Sequence, residues 1–197
     1  MPKKHTPAYQ SPIALDKCSD IAISEYIDLY GRNENAIFNP ITKNYEVKSR
    51  VIISINHRKY KLHEYHFHIE SEHKVNGEKY PAEIHYVFIE HNDKCEDVEQ
   101  RYDVCGCNHP THKNILVIGR TIDNTTRHKN LENLQVKIPG CYYQYDGTLT
   151  TGDYSPVRWL VGEKPIHYDM KQLIPISKSA RPLQPLDGRI ILLCNRE

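Results

Sequence analysis

Large apolar rings are scarce in this chain, with three phenylalanines and one tryptophan in 197 residues. The core must therefore be assembled from Ile, Val, Leu and tyrosine. No run approaches the roughly 18 consecutive apolar residues of a membrane-spanning helix, so no membrane span is expected. A charge of one sign is also missing: Lys+Arg number 26 and Asp+Glu 25, a formal net charge of +1. Without a broad positive field, binding to nucleic acid or anionic lipid is not expected. Lys3 and Lys4 are followed by no apolar segment, so no secretory signal is evident, and the expected location is cytoplasmic, with secretion left open. Six cysteines outside a secretory context read as reduced thiols. There is no internal repeat, and the length suits one domain over 1–197, with 1–9 read as a flexible N-terminal arm.

Tyrosine and histidine are abundant instead, at 14 and 12 residues. Tyrosine suits half-exposed sheet surface, where the ring packs and the hydroxyl stays wet. Histidine is the commonest metal ligand. Up to Tyr45 the chain is punctuated by Pro, Asn and Asp, which predicts mostly irregular structure. Strands are predicted at 51–55, 60–69, 80–89, 115–118, 157–161 and 190–193, each rich in β-branched or aromatic residues. Asn76-Gly77 predicts a tight hairpin turn between the second and third. The polar stretch 91–113 reads as an excursion, and Asn124-Thr125-Thr126 as the cap of a brief helix over 128–134.

Residues two apart on a strand share a face, so His66 and His68 project together. A hairpin closed at Asn76-Gly77 without a slip sets His68 opposite His85 and His66 opposite Val87. Pro81 argues for a bulge or an edge in that ladder, so the shared face is the firmer expectation. Three neutral imidazoles with a fourth position open define a catalytic zinc site rather than a structural one. Twelve histidines yield roughly 0.7 His-x-His pairs by chance, so the pair alone equally describes solvent-facing side chains. Cys105-Gly106-Cys107-Asn108-His109-Pro110-Thr111-His112, with Cys95 nearby, offers a second set of soft ligands. Its spacing follows no standard zinc motif, so a plain loop or a local disulfide is the favoured reading.

The context of the pair is more specific. Tyr60-Lys61-Leu62-His63-Glu64-Tyr65-His66-Phe67-His68, then Ser71-Glu72-His73-Lys74-Val75, then Ala82-Glu83-Ile84-His85-Tyr86-Val87 resemble the metal-binding core of α-carbonic anhydrases. Gln10-Ser11-Pro12-Ile13, Leu116-Val117-Ile118-Gly119, Tyr145-Asp146-Gly147-Thr148-Leu149-Thr150-Thr151, Val157-Arg158-Trp159-Leu160-Val161 and Arg181-Pro182-Leu183-Gln184-Pro185-Leu186 are similar to further family segments, in the family's order. The resemblance implies a mainly β fold, a twisted and largely antiparallel central sheet with few short helices. It implies Zn2+ on His66, His68 and His85, and sulfonamide-sensitive hydration of carbon dioxide to bicarbonate through zinc-bound hydroxide. It implies that Thr150 and Glu72 orient that hydroxide and that Glu64 and Glu83 orient ligand imidazoles. Val87, Val117, Leu149, Thr151, Val157 and Trp159 would line the substrate pocket. The family's proton-shuttling histidine has Arg50 as its nearest match, and arginine holds its proton too tightly to serve. His63 is the tentative replacement, with His57 and His5 as other candidates. Because some relatives use the fold for adhesion, the alternative reading is a binding or virion-surface module, which adds a virion-associated location to the expectations. The sequence sets no oligomeric state.

Overall fold

A computed structural model of the protein describes residues 9–16, 26–91, 114–124, 134–152 and 154–195. Its strands are β1 Ala14–Leu15, β2 Ile27–Tyr30, β3 Ile37–Asn39, β4 Asn44–Glu46, β5 Ile52–Ile55, β6 Arg58–Ile69, β7 Lys74–Val75, β8 Ala82–Glu90, β9 Ile115–Asn124, β10 Cys141–Thr148, β11 Pro156–Gly162, β12 Ile166–Tyr168, β13 Ser177–Ser179 and β14 Leu192–Asn195. Helix is confined, among the described residues, to α1 Met170–Leu173 and the 3-10 turn Ile174–Ile176 that follows it. The mainly β expectation holds.

One mixed sheet carries the order β14-β10-β11-β9-β8-β6-β4-β3, and β1 and β7 form a separate two-stranded pair. β6, β8 and β9 are antiparallel neighbours at its centre, and β11 lies parallel to β9. Central strands are covered on both faces, which is why β8 is buried over its first seven residues. Alternation then sorts side chains into two cores. Tyr65, Phe67, Ile84, Tyr86, Phe88, Leu116 and Ile118 pack on one face. Val87, Val117, Tyr145, Val157 and Trp159 pack with Ile13 and Leu15 on the other.

Several expectations need correcting. The segment up to Tyr45 contains β1, β2, β3 and the start of β4, strands too short for a periodic signal; β2 exists because β5 supplies its partner, β4 because β6 does, and β3 because it pairs with β4. β10 was not expected as a strand; its run of Tyr142, Tyr143 and Tyr145 is buried between β11 and β14. The helix expected over 128–134 and the loop 105–112 lie outside the described residues, except Leu134, which is not helical.

The hairpin register also differs. Asn76 and Gly77 do form the turn, with φ of 51° and 80°, and Val75 pairs with Glu78. Yet His66, not His68, lies opposite His85, while His68 faces Glu83 and Glu64 faces Val87. Between Ser71/Tyr80 and Val75/Glu78 the outgoing arm has three residues and the returning arm one. Those two extra residues slip the ladder by two, which leaves every side chain on its expected face. A second bulge sets His63 out of the ladder between Leu62 and Glu64.

Gly147 on β10 shows how tightly the second core is closed. A Cβ there would run into Ser11 Oγ and lie 2.8 Å from Tyr145 Cε2. Gly147→Ala should therefore destabilise the fold by about 1–3 kcal/mol through overpacking, read as a lower denaturant midpoint. A parental midpoint in that variant would mean that Ser11 and Tyr145 shift without cost.

Candidate metal centre

His66 and His68 reach one face from β6, and His85 reaches the same face from β8, because strand neighbours two apart and cross-strand partners share a side. Their ring centroids are 5.1, 5.3 and 4.8 Å apart pairwise. Each offers one ring nitrogen, and the three nitrogens lie within 4.8 Å of one another. All three residues are buried. Burial and the neighbouring His85 hold the His66 imidazole well below its ordinary range, with Lys178 and His68 adding to the effect. Burial, again with His85, lowers His68 to about 4, against the opposing pull of Glu72. Both rings are thus neutral at physiological pH, the form that ligates metal.

Hydrogen bonds decide which nitrogen His68 and His85 keep free. His68 Nδ1–H donates to Ser179 O at 3.1 Å, and its Nε2 is buried without a hydrogen-bond partner. His85 Nε2–H donates to Glu83 Oε1 at 3.0 Å, which leaves Nδ1. His66 Nδ1 lies 3.4 Å from Glu64 Oε1, and Glu64 also accepts a hydrogen bond from Asn44 Nδ2. An orphaned imidazole nitrogen on His68 and two neighbouring imidazoles fit a zinc ion's preference for nitrogen donors.

Glu83 is fully buried. Burial pushes its carboxyl up, but the facing His73 and hydrogen bonds from His73 and His85 outweigh this and hold it well below the usual carboxylate range. His73 Nδ1 is 2.7 Å from Glu83 Oε1, and the His73 backbone N–H donates to Glu83 Oε2 at 2.8 Å. From His73 Nε2 the chain continues 2.6 Å to Tyr145 OH, which is 3.0 Å from Ser11 Oγ. His73, Glu83 and His85 also cluster closely enough to hold an ion. His73 Nδ1 and His85 Nε2 are both already paired with Glu83 Oε1 at hydrogen-bond distance. The sequence reading assigned no role to His73, Tyr145 or Ser11; His73's place directly after Glu72 in the hairpin was the available signal.

Glu72 is completely buried. Its Oε1 accepts the Arg181 backbone N–H at 2.8 Å and lies 3.4 Å from His68 Nδ1, while its Oε2 has no hydrogen-bond partner. Thr150 is buried at the end of the segment that follows β10; Thr151 beside it is exposed. Val87, Val117, Val157 and Trp159 are buried together, with Leu149 packed against them. The Trp159 ring centroid lies 4.8 Å from that of His85, and its Nε1–H donates to Thr148 O at 3.0 Å. The apolar wall therefore abuts the imidazole cluster.

The shuttle candidates separate by position. β4, not the strand after Arg50, runs beside His66. His57 sits at the turn between β5 and β6, nine residues from His66, on the order of 30 Å along an extended strand. That distance removes it. His63 is half-buried at the bulge three residues before His66, and His5 lies outside the described residues.

Neutral buried histidines make stability depend on pH. Because the folded pKa of His68 is below the ordinary 6.5, the unfolded chain binds more protons between about 6.5 and 4. Metal-free protein should keep this contribution above pH 6.5 and lose it progressively as pH falls to 4, with Glu83 adding further loss at lower pH. Denaturant midpoints of the metal-free protein across pH 7.5–4 check this; a flat profile would contradict it.

Three buried imidazoles on one face of a curled mixed sheet, beside an apolar wall, form a group that could hold a metal ion. The model of the eukaryotic-type carbonic anhydrases matches residues 3–195, and the chain belongs to that family. It is 26% identical over 167 residues to a carbonic anhydrase of Pectobacterium atrosepticum, covering 81% of this chain and 68% of the relative. It is 31% identical over 149 residues to one from Nostoc, covering 69% and 54%. The chain thus matches between about half and two thirds of these relatives' lengths. Among solved structures, the α-carbonic anhydrase of Photobacterium profundum superposes with a TM-score of 0.72 at 23% identity, covering 95% of this chain and 90% of the other. That of Thermovibrio ammonificans, solved with the inhibitor sulfanilamide, gives 0.67 at 22%, covering 93% and 86%. No helix among the described residues is long and apolar enough to cross a membrane.

Proposed function

We propose that His66, His68 and His85 hold a catalytic zinc ion and that the protein reversibly hydrates carbon dioxide to bicarbonate and a proton. The observation that carries this reading is the convergence of three buried imidazoles on one sheet face, each offering one ring nitrogen to a common point. Held by these three imidazoles, zinc would supply the positive charge that lowers the pKa of a water molecule toward neutrality, carbonic anhydrases being the type case of the effect.

The chain's own residues supply aim and surroundings. Glu83 turns His85 through Nε2, and Ser179 O turns His68 through Nδ1. Thr150 would accept a hydrogen bond from the attacking oxygen and donate one from its own hydroxyl to the unpartnered Oε2 of Glu72, which would leave a lone pair of that oxygen facing the substrate carbon. Arg181, by occupying Oε1, leaves Glu72 only that oxygen for the task. Val87, Val117, Leu149, Val157 and Trp159 give the linear, apolar substrate a dry surface to rest on, and exposed Thr151 belongs to the pocket's mouth. Glu64, an acid held by Asn44, makes His66 a more basic ligand. His63 takes the proton outward.

Stopped-flow carbon dioxide hydration by the zinc-loaded protein, with and without a sulfonamide, tests the assignment. Hydration well above buffer, abolished by the sulfonamide, is the expected result. Hydration no faster than buffer would replace the enzymatic reading with that of a binding module on the same fold.

A further inference from the structure

The hairpin between β6 and β8 departs from regular pairing where the site needs it to. Glu72, His73 and Lys74 on the outgoing arm oppose Lys79 alone on the return. Glu72 and His73 are both completely buried, the first beside His68 and His85, the second against Glu83. An insertion of this kind takes backbone groups out of the ladder, and buried carbonyls must then find other donors.

Two side chains supply them. Ser71, itself fully buried, donates from Oγ to His73 O at 2.7 Å and accepts the Tyr80 N–H at 3.0 Å, tying the two arms together. Lys79 lies at the surface, but its Nζ donates to Ser71 O at 2.6 Å and to Glu72 O at 2.8 Å. Three successive carbonyls, those of Ser71, Glu72 and His73, are thus each held by one of these two side chains. The Lys79 charge also faces Glu72 and Glu83, the carboxylates behind the histidines, and Glu70.

We propose that Ser71 and Lys79 are positioning residues of the metal centre: together they fix the two-residue insertion in the shape that aims Glu72 and His73 at the ligand histidines. The proposal rests on the reading of His66, His68 and His85 as the metal site. Neither residue touches metal or substrate. Their effect passes through Glu72, which governs the attacking oxygen, and through His73 and Glu83, which govern His85. A plain surface lysine or an ordinary turn serine would affect neither catalysis nor metal affinity selectively.

The test uses the full zinc-loaded chain with Lys79→Met, which keeps the apolar stem, Lys79→Arg, which keeps charge and donors, and Ser71→Ala. Lys79→Met should lower kcat for carbon dioxide hydration by about tenfold with KM unchanged, and weaken zinc binding in competition with a chromogenic chelator by a similar factor, the scale typical of lost outer partners. Lys79→Arg should restore most of both. Ser71→Ala should act in the same direction, and the double variant should lose less than the product of the two single losses. Parental kcat and zinc affinity in Lys79→Met would overturn the proposal. So would a loss that arginine fails to rescue and that only follows a lowered thermal midpoint, since that marks general destabilisation. If Lys79→Met does not fold, Lys79→Gln is carried through the same measurements. Should the parent protein bind zinc but hydrate no carbon dioxide, the proposed function falls, while the chelator competition still decides the role of the clamp.

Discussion

His68→Ala should leave the protein unable to retain zinc and reduce carbon dioxide hydration to the buffer rate. His68 is fully buried beside the other two imidazoles, and its Nε2 has no hydrogen-bond partner within the protein. Removing it deletes one of three donors, so zinc affinity should fall by more than the roughly 10- to 100-fold that loss of an outer partner costs. Metal-to-protein ratios after dialysis against a weak chelator, beside the parent, measure this. The same substitution has a second expected signature. Part of the acid sensitivity of the metal-free fold comes from keeping this ring neutral down to about pH 4, so His68→Ala should flatten the stability profile between pH 6.5 and 4. A variant that still binds zinc stoichiometrically with parental affinity would refute the ligand assignment.

Thr150→Val carries the next largest expected effect, on catalysis alone. Valine keeps the approximate shape but removes the hydroxyl that is to bridge the attacking oxygen and Glu72. Zinc content should be unchanged and kcat/KM should fall by about 10- to 100-fold. Glu72 Oε2 is buried without a partner, and a buried carboxylate oxygen left unpaired is costly, so a donor is to be expected when the site is assembled. Glu72→Gln should produce a loss of similar size, because the amide no longer accepts the hydroxyl hydrogen in the same way. If the two act as one relay, the double variant should be little worse than either single one. Losses that multiply independently, or a Thr150→Val enzyme with parental kcat/KM, would show that the relay does not operate.

The histidine cluster was legible in sequence because each step is local. His66 and His68 share a face by the two-residue period of a strand, and Glu83 and His85 do so for the same reason. The Asn76-Gly77 turn is likewise a local matter of two residues that tolerate positive φ. The register was not legible. It depends on two additional residues between Ser71 and Val75, and that bulge is held by Ser71 Oγ and the Lys79 ammonium, contacts that no periodicity announces.

Strands β2, β3 and β4 were hidden for a related reason. With three or four residues each they carry no pattern of their own, and only the pairing of β2 to β5, β4 to β6 and β3 to β4 makes them strands. The network from Ser11 through Tyr145 and His73 to Glu83 joins residues up to 134 positions apart, so nothing in local sequence could assemble it.

What the amino-acid sequence determined by itself is the strand material, the hairpin turn and the face on which His66, His68 and His85 emerge, because backbone sterics and side-chain alternation act over a few residues. What only the tertiary structure decided is which histidine faces which, which ring nitrogen His68 and His85 keep free, and how Glu72, Glu83 and His73 are turned toward them. Those depend on hydrogen bonds closed between distant strands, whose geometry exists only once the sheet has curled around its two cores.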